Sequence, residues 1–255
     1  MNWNIAVGNF FFRYRNTAFP LVFTLVLALL RPGVFFHRPD LTPLLQGLGA
    51  VIALAGAAIR LWTIGFEYIE RGGKNRHVYA SFLAQKGMYG LTRNPMYLGN
   101  ALIAAGLVLV AGSPLMLCLV LPFFLFVYQA IVAAEEAYLR GRFGERYAQY
   151  CAAVPRWWPD LRRAGAAFSG QRYQWRRAIR KDLSTLLGLF TWLIFLPVWR
   201  IYGVGGWEAA KASAARAVLW EAGVLAAYGV LYVCKKRRQF LYAAEEFEER
   251  RASGQ

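Results

Sequence analysis

The stretch RNPMYLGNALIAAGLVLVAGSPLMLCLVLPFFLFVYQAIVAAEE, residues 93–136, decides the fold. Its two long apolar runs, 96–111 and 114–134, are separated only by Gly112, Ser113 and Pro114. A connection that short joins two helices only as an antiparallel pair. Each run approaches the roughly 20 apolar residues that carry a helix across the hydrocarbon core. The stretch therefore reads as a tight membrane hairpin. An Arg-Asn-Pro turn opens one leg, and two adjacent carboxylates, Glu135 and Glu136, close the other.

Working outward, further apolar runs fall at 17–36, 43–66, 183–202 and 217–234, the first interrupted by Arg31, Pro32 and Gly33. The composition agrees: 58% of the 255 residues are hydrophobic and 16% aromatic, with a mean hydropathy of +0.32. A soluble domain of this length carries more charge and less apolar surface. The expected fold is an all-α polytopic membrane protein with about six transmembrane helices and the tight hairpin at 96–134. We expect a single membrane domain over 1–255. It comprises a first helix pair (17–66), a core (83–160), a basic connector (161–182), a last helix pair (183–234) and a tail (235–255).

A net charge of +16 would suggest nucleic acid in a soluble chain. No zinc spacing, RNA-binding signature or base-reading helix accompanies it here, so no nucleic-acid partner is expected. Cytoplasmic loops of membrane proteins collect Lys and Arg instead. The Gly112-Ser113-Pro114 turn is uncharged, whereas 135–182 carries a dense basic series from Arg140 to Lys181. That series belongs inside, and alternation from it puts 67–95, Arg13, Arg15 and the basic run 235–238 inside too. Both termini and the hairpin base are then cytosolic, in a bacterial inner membrane or an endoplasmic-reticulum-type membrane. The N-terminus lacks the layout of a signal peptide. Cys118, Cys151 and Cys234 are too dispersed for a disulfide framework or a metal site, and none is expected. His37 and His77 fall on opposite faces.

The chemistry concentrates at the hairpin base. Pro95 suits the first position of a helix, and Asn94 before it is biased toward an extended shape. The helix start offers unpaired N–H groups and the positive end of its dipole, beside the donor fork of Arg93. Together these make a receptor for a carboxylate or phosphate, flanked by Tyr89 and Tyr97. Across the hairpin, Glu135 and Glu136 repel each other unless a cationic group lies near. An acidic pair suits an ammonium, a sulfonium or ribose hydroxyls. Taken singly, Arg93 is equally a positive-inside anchor and the tyrosines an interfacial belt. The carboxylates resist that account, because acids near lipid are costly and contribute little to orientation. As a set, the residues read as a site for a zwitterionic, partly apolar small molecule.

These motifs resemble a known group. Residues 83–106 (LAQKGMYGLTRNPMYLGNALIAAG) and 135–159 (EEAYLRGRFGERYAQYCAAVPRWWP) are similar to the membrane-embedded methyltransferases that include isoprenylcysteine carboxyl methyltransferase and the phospholipid N-methyltransferases. Similarity extends more weakly to 56–66. The resemblance implies S-adenosyl-L-methionine as methyl donor, held at the hairpin base. The cofactor set it implies is Tyr89, Arg93, Asn94, Pro95, Tyr97, Leu98, Gly99, Glu135 and Glu136, with Arg93 and Glu136 in the catalytic role. Isoprenylcysteine enzymes typically have His where this chain has Asn94, which puts that acceptor, and not the cofactor, in doubt. The acceptor is expected to be lipidic or prenylated and to enter from the membrane lipids, and no obligate protein partner is expected.

Arg60, near the end of the second apolar run, reads as a snorkelling cation or a member of the site, the former being plainer. Glu221 is expected to reach water. Tyr147, Tyr150 and Arg156 fold over the cofactor or pack as an amphipathic surface. Residues 162–181 grip anionic lipid or merely carry topology charge. Two rivals to methyl transfer stand: an NADPH-dependent, sterol-type membrane reductase, suggested by 147–159, and a scaffold or transporter. The acidic pair with Arg-Asn-Pro-Met-Tyr speaks against the reductase. The lack of repeated halves speaks against a transporter.

Overall fold

The computed structural model describes residues 3–29, 41–67 and 78–237, and these are helical with no strand among them. Seven α-helices follow in order: α1 Trp3–Leu29, α2 Thr42–Phe66, α3 Pro95–Ala111, α4 Leu121–Phe143, α5 Glu145–Ala153, α6 Ala164–Phe168 and α7 Trp175–Lys236. A π-turn, Met116–Val120, leads into α4. By length and apolarity, Thr42–Phe66, Met116–Phe143 and Trp175–Lys236 can each cross a membrane, and α3 is a shorter apolar helix.

The hairpin forms where the apolar runs placed it. Gly112 ends α3 in the left-handed region, φ 69°, which a residue with a Cβ adopts only under strain. The α4 leg, however, runs on to Phe143. Glu135 and Glu136 therefore do not end the helix; they lie about two turns inside it.

The seam between α2 and α3 is built from small residues at matched seven-residue spacing. A Cβ added at Gly99 would lie 2.7 Å from the Gly56 carbonyl oxygen, and one at Gly106 would lie 2.4 Å from that of Gly49. Helices in lipid gain little from apolar burial against each other, so close backbone approach supplies the packing. Gly8 brings α1 onto α4 in the same manner, its added Cβ meeting the Ala130 carbonyl at 2.0 Å.

One helix boundary is corrected here. The first run was read as 17–36, but α1 begins at Trp3. Arg13 and Arg15 consequently ride on a helix and not in a loop. The runs 183–202 and 217–234 fall on the two arms of α7, which is broken between them at Gly206 (φ 72°, ψ −171°), and so form the expected last helix pair. A straight helix of 62 residues would measure about 90 Å, three times the hydrocarbon thickness. The break reverses the chain instead: Thr191 donates to Glu221 Oε1 at 2.7 Å, joining residues equally far from Gly206. Glu221 Oε2 is buried without a partner among the described residues, so Glu221 faces its own hairpin and not water.

The start of α7 clasps the end of α2. Arg177 donates to the carbonyls of Ile64 and Gly65, each at 3.0 Å, occupying acceptors that a helix end leaves unpaired. Residues 30–40, 68–77 and 238–255, which include the Arg31-Pro32-Gly33 break, His37, His77 and most of the tail, lie outside the described residues.

Candidate functional site

Residues 87–94 are held by a second segment of chain, through hydrogen bonds as well as the burial of Met88 and Leu91 against Ala167. The Arg93 backbone N–H donates to the Pro155 carbonyl at 2.9 Å, and that of Asp160 to the Leu91 carbonyl at 3.0 Å. Thr92 Oγ1 donates to Trp157 O at 3.0 Å, Tyr150 Oη to Tyr89 O at 2.8 Å, and Arg163 Nε to Gly90 O at 3.1 Å. Asn94 makes no side-chain cap on α3; its amide donates to the Arg156 carbonyl at 3.1 Å. The polar cluster ahead of the apolar run is thus the half of a stitched pair whose other half is 154–163.

That stitching fixes Arg93 beneath the acidic pair. Arg93 Nη1 lies 3.6 Å from Glu136 Oε1, and Arg156 Nε donates to the same oxygen at 3.0 Å. Burial disfavours the charged form of Arg93, but Glu136, followed by Cys151 and Tyr147, outweighs it and holds the guanidinium pKa above its ordinary value. Arg93 Nε is buried with no partner among the described residues. Burial, and next Glu136, pushes the Tyr147 hydroxyl well above its ordinary range; burial does the same to Tyr150. Both phenols stay neutral near pH 7.

Glu135 has a different partner. Tyr97 Oη donates to Glu135 Oε1 at 2.5 Å, and Arg15 Nη1 on α1 donates to Tyr97 Oη at 3.2 Å. The two neighbouring carboxylates are therefore divided, Glu136 to the loop cations and Glu135 to a tyrosine from the facing leg. Adjacent positions on a helix point in different directions, which permits the division.

A cavity of about 730 Å³ opens at this point, within the range of small-molecule sites. Tyr89, Arg93, Asn94, Tyr97, Glu135 and Glu136 all line it. Pro95, Leu98 and Gly99 do not. Pro95 opens α3, and Gly99 faces α2, where an added Cβ would meet Arg60 Cγ at 2.6 Å. On α3 the lining recurs at Tyr97, Asn100, Ile103 and Leu107, one residue per turn of a single face. The cavity thus runs from the hairpin base into the apolar body of the bundle, where Phe23, Phe124 and Trp192 enclose it.

Arg60 does not snorkel. Its side chain is 5% exposed and that of Asp182 is 0% exposed. Nε donates to Asp182 Oδ2 at 2.9 Å, Nη2 donates to Asp182 Oδ1 and Thr185 Oγ1, and Nη1 donates to Asn100 Oδ1. Asp182, Asn100 and Thr185 escaped the reading of the sequence, and Arg15 entered it only as a charge that sets sidedness. The one usable signal was Asp182, an acid at the mouth of an apolar run, where a lone carboxylate requires a partner. Cys118, Cys151 and Cys234 are free thiols.

The family of phospholipid methyltransferases matches the chain over residues 46–146. The chain is also 32% identical over 160 residues to the cobalt-zinc-cadmium resistance protein CzcN of Cupriavidus metallidurans, an alignment that covers 61% of this chain and 68% of that protein. No solved structure matches it. The family match runs from the first turns of α2 past the end of α4, the segment that builds the cavity's polar base, and the chain belongs to the phospholipid methyltransferase family of integral-membrane methyltransferases.

Proposed function

We propose that the chain transfers a methyl group from S-adenosyl-L-methionine to an amphiphilic or lipidic acceptor, at the cytosolic boundary of the membrane. The observation that carries this reading is the cavity's base. A divided carboxylate pair and a guanidinium with a buried, unpartnered Nε stand together there, below an apolar chamber. The basic series from Arg140 to Lys181 supports a cytosolic base.

The residues fit the cofactor's own chemistry. Arg93 and the first turn of α3, whose first intrahelical bond is Leu98 N–H to Asn94 O, suit its carboxylate. Glu135 and Glu136 suit its ammonium or its ribose hydroxyls, and Tyr89 offers an aromatic face. When bound, S-adenosyl-L-methionine supplies a methyl group activated by a sulfonium. In-line displacement then asks the protein chiefly to position two reactants and exclude water. Arg93 and Glu136 hold each other and the loop 87–94 in register. The neutral Tyr147 and Tyr150 wall off the base without competing as nucleophiles, and Tyr97 orients Glu135. The apolar chamber accommodates an acceptor's hydrocarbon, which reaches it from the bilayer.

Calorimetric titration of the detergent-solubilised protein with S-adenosylhomocysteine tests the assignment. Saturable binding that Arg93→Ala weakens by about tenfold or more is expected, as for loss of a charged hydrogen bond. A folded protein that binds none would overturn it.

A further inference from the structure

Above the carboxylate pair the cavity has a second polar layer with the opposite sense. Asn100 lies one helical turn deeper than Tyr97, and Arg60, Asn100, Lys181, Ser184 and Thr185 line the wall there. Three helices meet in that layer, since Arg60 belongs to α2, Asn100 to α3 and Thr185 to α7. Immediately deeper, at Ile103 and Leu107 on α3 and Trp192 on α7, the lining turns apolar.

What the layer can bind follows from how Arg60 spends its donors. A guanidinium carries five N–H groups. Two engage the oxygens of Asp182, one engages Thr185 Oγ1 and one engages Asn100 Oδ1. Asp182, wholly buried, neutralises the charge and locks the fork in place. Because Arg60 occupies the acceptor atoms of Asn100 and Thr185, each turns a donor elsewhere. Asn100 retains its NH₂, Thr185 its hydroxyl proton, and Arg60 one N–H on Nη1. The layer is thus a set of pre-positioned donors. A ligand group that satisfies it must bring acceptor oxygens, and negative charge on them strengthens each bond.

We propose that this layer is a receptor for an anionic oxygen-bearing group, a phosphate or carboxylate, on the methyl acceptor. It grips the acceptor's head between the donor site at Glu135–Glu136 and the apolar chamber that holds the hydrocarbon. The acceptor role rests on reading the cavity as a methyl-transfer site; the anion receptor rests on the geometry of Arg60, Asn100 and Thr185 alone. The arrangement also orders the acceptor along the cavity. With its chain at Leu107 and Trp192 and its anion at Asn100 and Thr185, the remaining end of the head extends toward Tyr97 and Glu135.

The test compares two single-chain probes in uncharged detergent, 1-oleoyl lysophosphatidate and monoolein, with inorganic phosphate as a third. Affinities are measured on full-length wild type, Thr185→Val and Asn100→Asp. Thr185→Val keeps the shape and deletes the hydroxyl; Asn100→Asp keeps a partner for Arg60 and replaces donors with charge. S-adenosylhomocysteine affinity is measured on the same preparations. Wild type is expected to prefer lysophosphatidate over monoolein by about tenfold or more. Either substitution should abolish that preference and leave S-adenosylhomocysteine binding within about twofold. Equal affinity for both probes in wild type, or a preference that survives both substitutions, overturns the proposal. Inorganic phosphate that binds alone and displaces lysophosphatidate, with the same dependence on Thr185, supports the receptor and assigns it a free anion. A Thr185-dependent preference in protein that fails to bind S-adenosylhomocysteine supports the receptor while removing the methyl-donor reading.

Discussion

Two polar clusters lie along one cavity, and they are finished to different degrees. Around Arg60, the guanidinium is almost wholly enclosed, and a carboxylate meets it twice. A hydroxyl and an amide accept two more of its N–H groups. Around Arg93, the guanidinium has a carboxylate at 3.6 Å and donates to Cys151 Sγ at 2.6 Å, but its Nε is buried without a partner among the described residues. Desolvated charge is tolerated only when compensated. The first cluster therefore neutralises its own charge and joins three helices, while keeping the donors of Asn100 and Thr185 for a ligand. The second leaves part of its guanidinium unmatched. Both contain Arg and acid within apolar surroundings; the difference lies in satisfaction, not composition.

The difference can be broken most forcefully at Asp182. Replacement by Ala leaves Arg60 charged and uncompensated in the interior, and is expected to destabilise the protein by about 3–5 kcal/mol. Thermal unfolding in detergent would register this as a large fall in Tm, and an unchanged Tm would mean that Arg60 finds another partner. Gly99→Ala comes next. Its Cβ would meet Arg60 Cγ at 2.6 Å and the Gly56 carbonyl at 2.7 Å, so α2 and α3 must part, at a cost of about 1–3 kcal/mol. The same unfolding experiment reads it.

The second cluster should respond in the opposite sense. Glu136→Gln keeps the shape and a hydrogen-bond acceptor for Arg156, so its effect on Tm is expected to be small, about 1 kcal/mol or less. Its effect falls instead on S-adenosylhomocysteine affinity, by calorimetry. A large loss of stability with unchanged affinity would make this cluster a structural ion pair and not a cofactor site. Tyr97→Phe should be mildest. It removes the 2.5 Å bond to Glu135 and the acceptor of Arg15, for about 1 kcal/mol in stability. A reduced methyl-transfer rate at saturating cofactor would show that the orientation of Glu135 matters in the reaction.

The legibility of the chain follows the same division. Local signals located α2, α3 and the hairpin turn to within a residue or two, because apolar length and a Gly-Ser-Pro break act over a few residues. They failed at α1 for a physical reason. Arg13 and Arg15 look like loop charges, yet Arg15 stacks over the Phe12 ring at 4.3 Å and reaches Tyr97, 82 positions away. A cation within a helix is invisible as such until its partner is known. At α7 the two runs were legible and the point of reversal was not. Gly206 supplies the reversal, but whether a glycine bends a helix or merely lies in it depends on what the two halves pack against.

By itself, the sequence determined that this protein enters the membrane as helices, that residues 96–134 fold back tightly, and that Arg93, Tyr97, Glu135 and Glu136 meet at the base of that hairpin. The first two depend on interactions along one helix or across one short turn; the third follows from the hairpin's sidedness, with the 154–163 segment fixing the final position of Arg93. Only the tertiary structure decided that Glu135 and Glu136 take different partners, and that Gly99 serves the α2 seam and not the cavity. It alone joined Arg60 to Asp182 across 122 residues. The reason is that a buried charge is stable only through partners brought by other helices, and no local pattern in the chain encodes which helices those are.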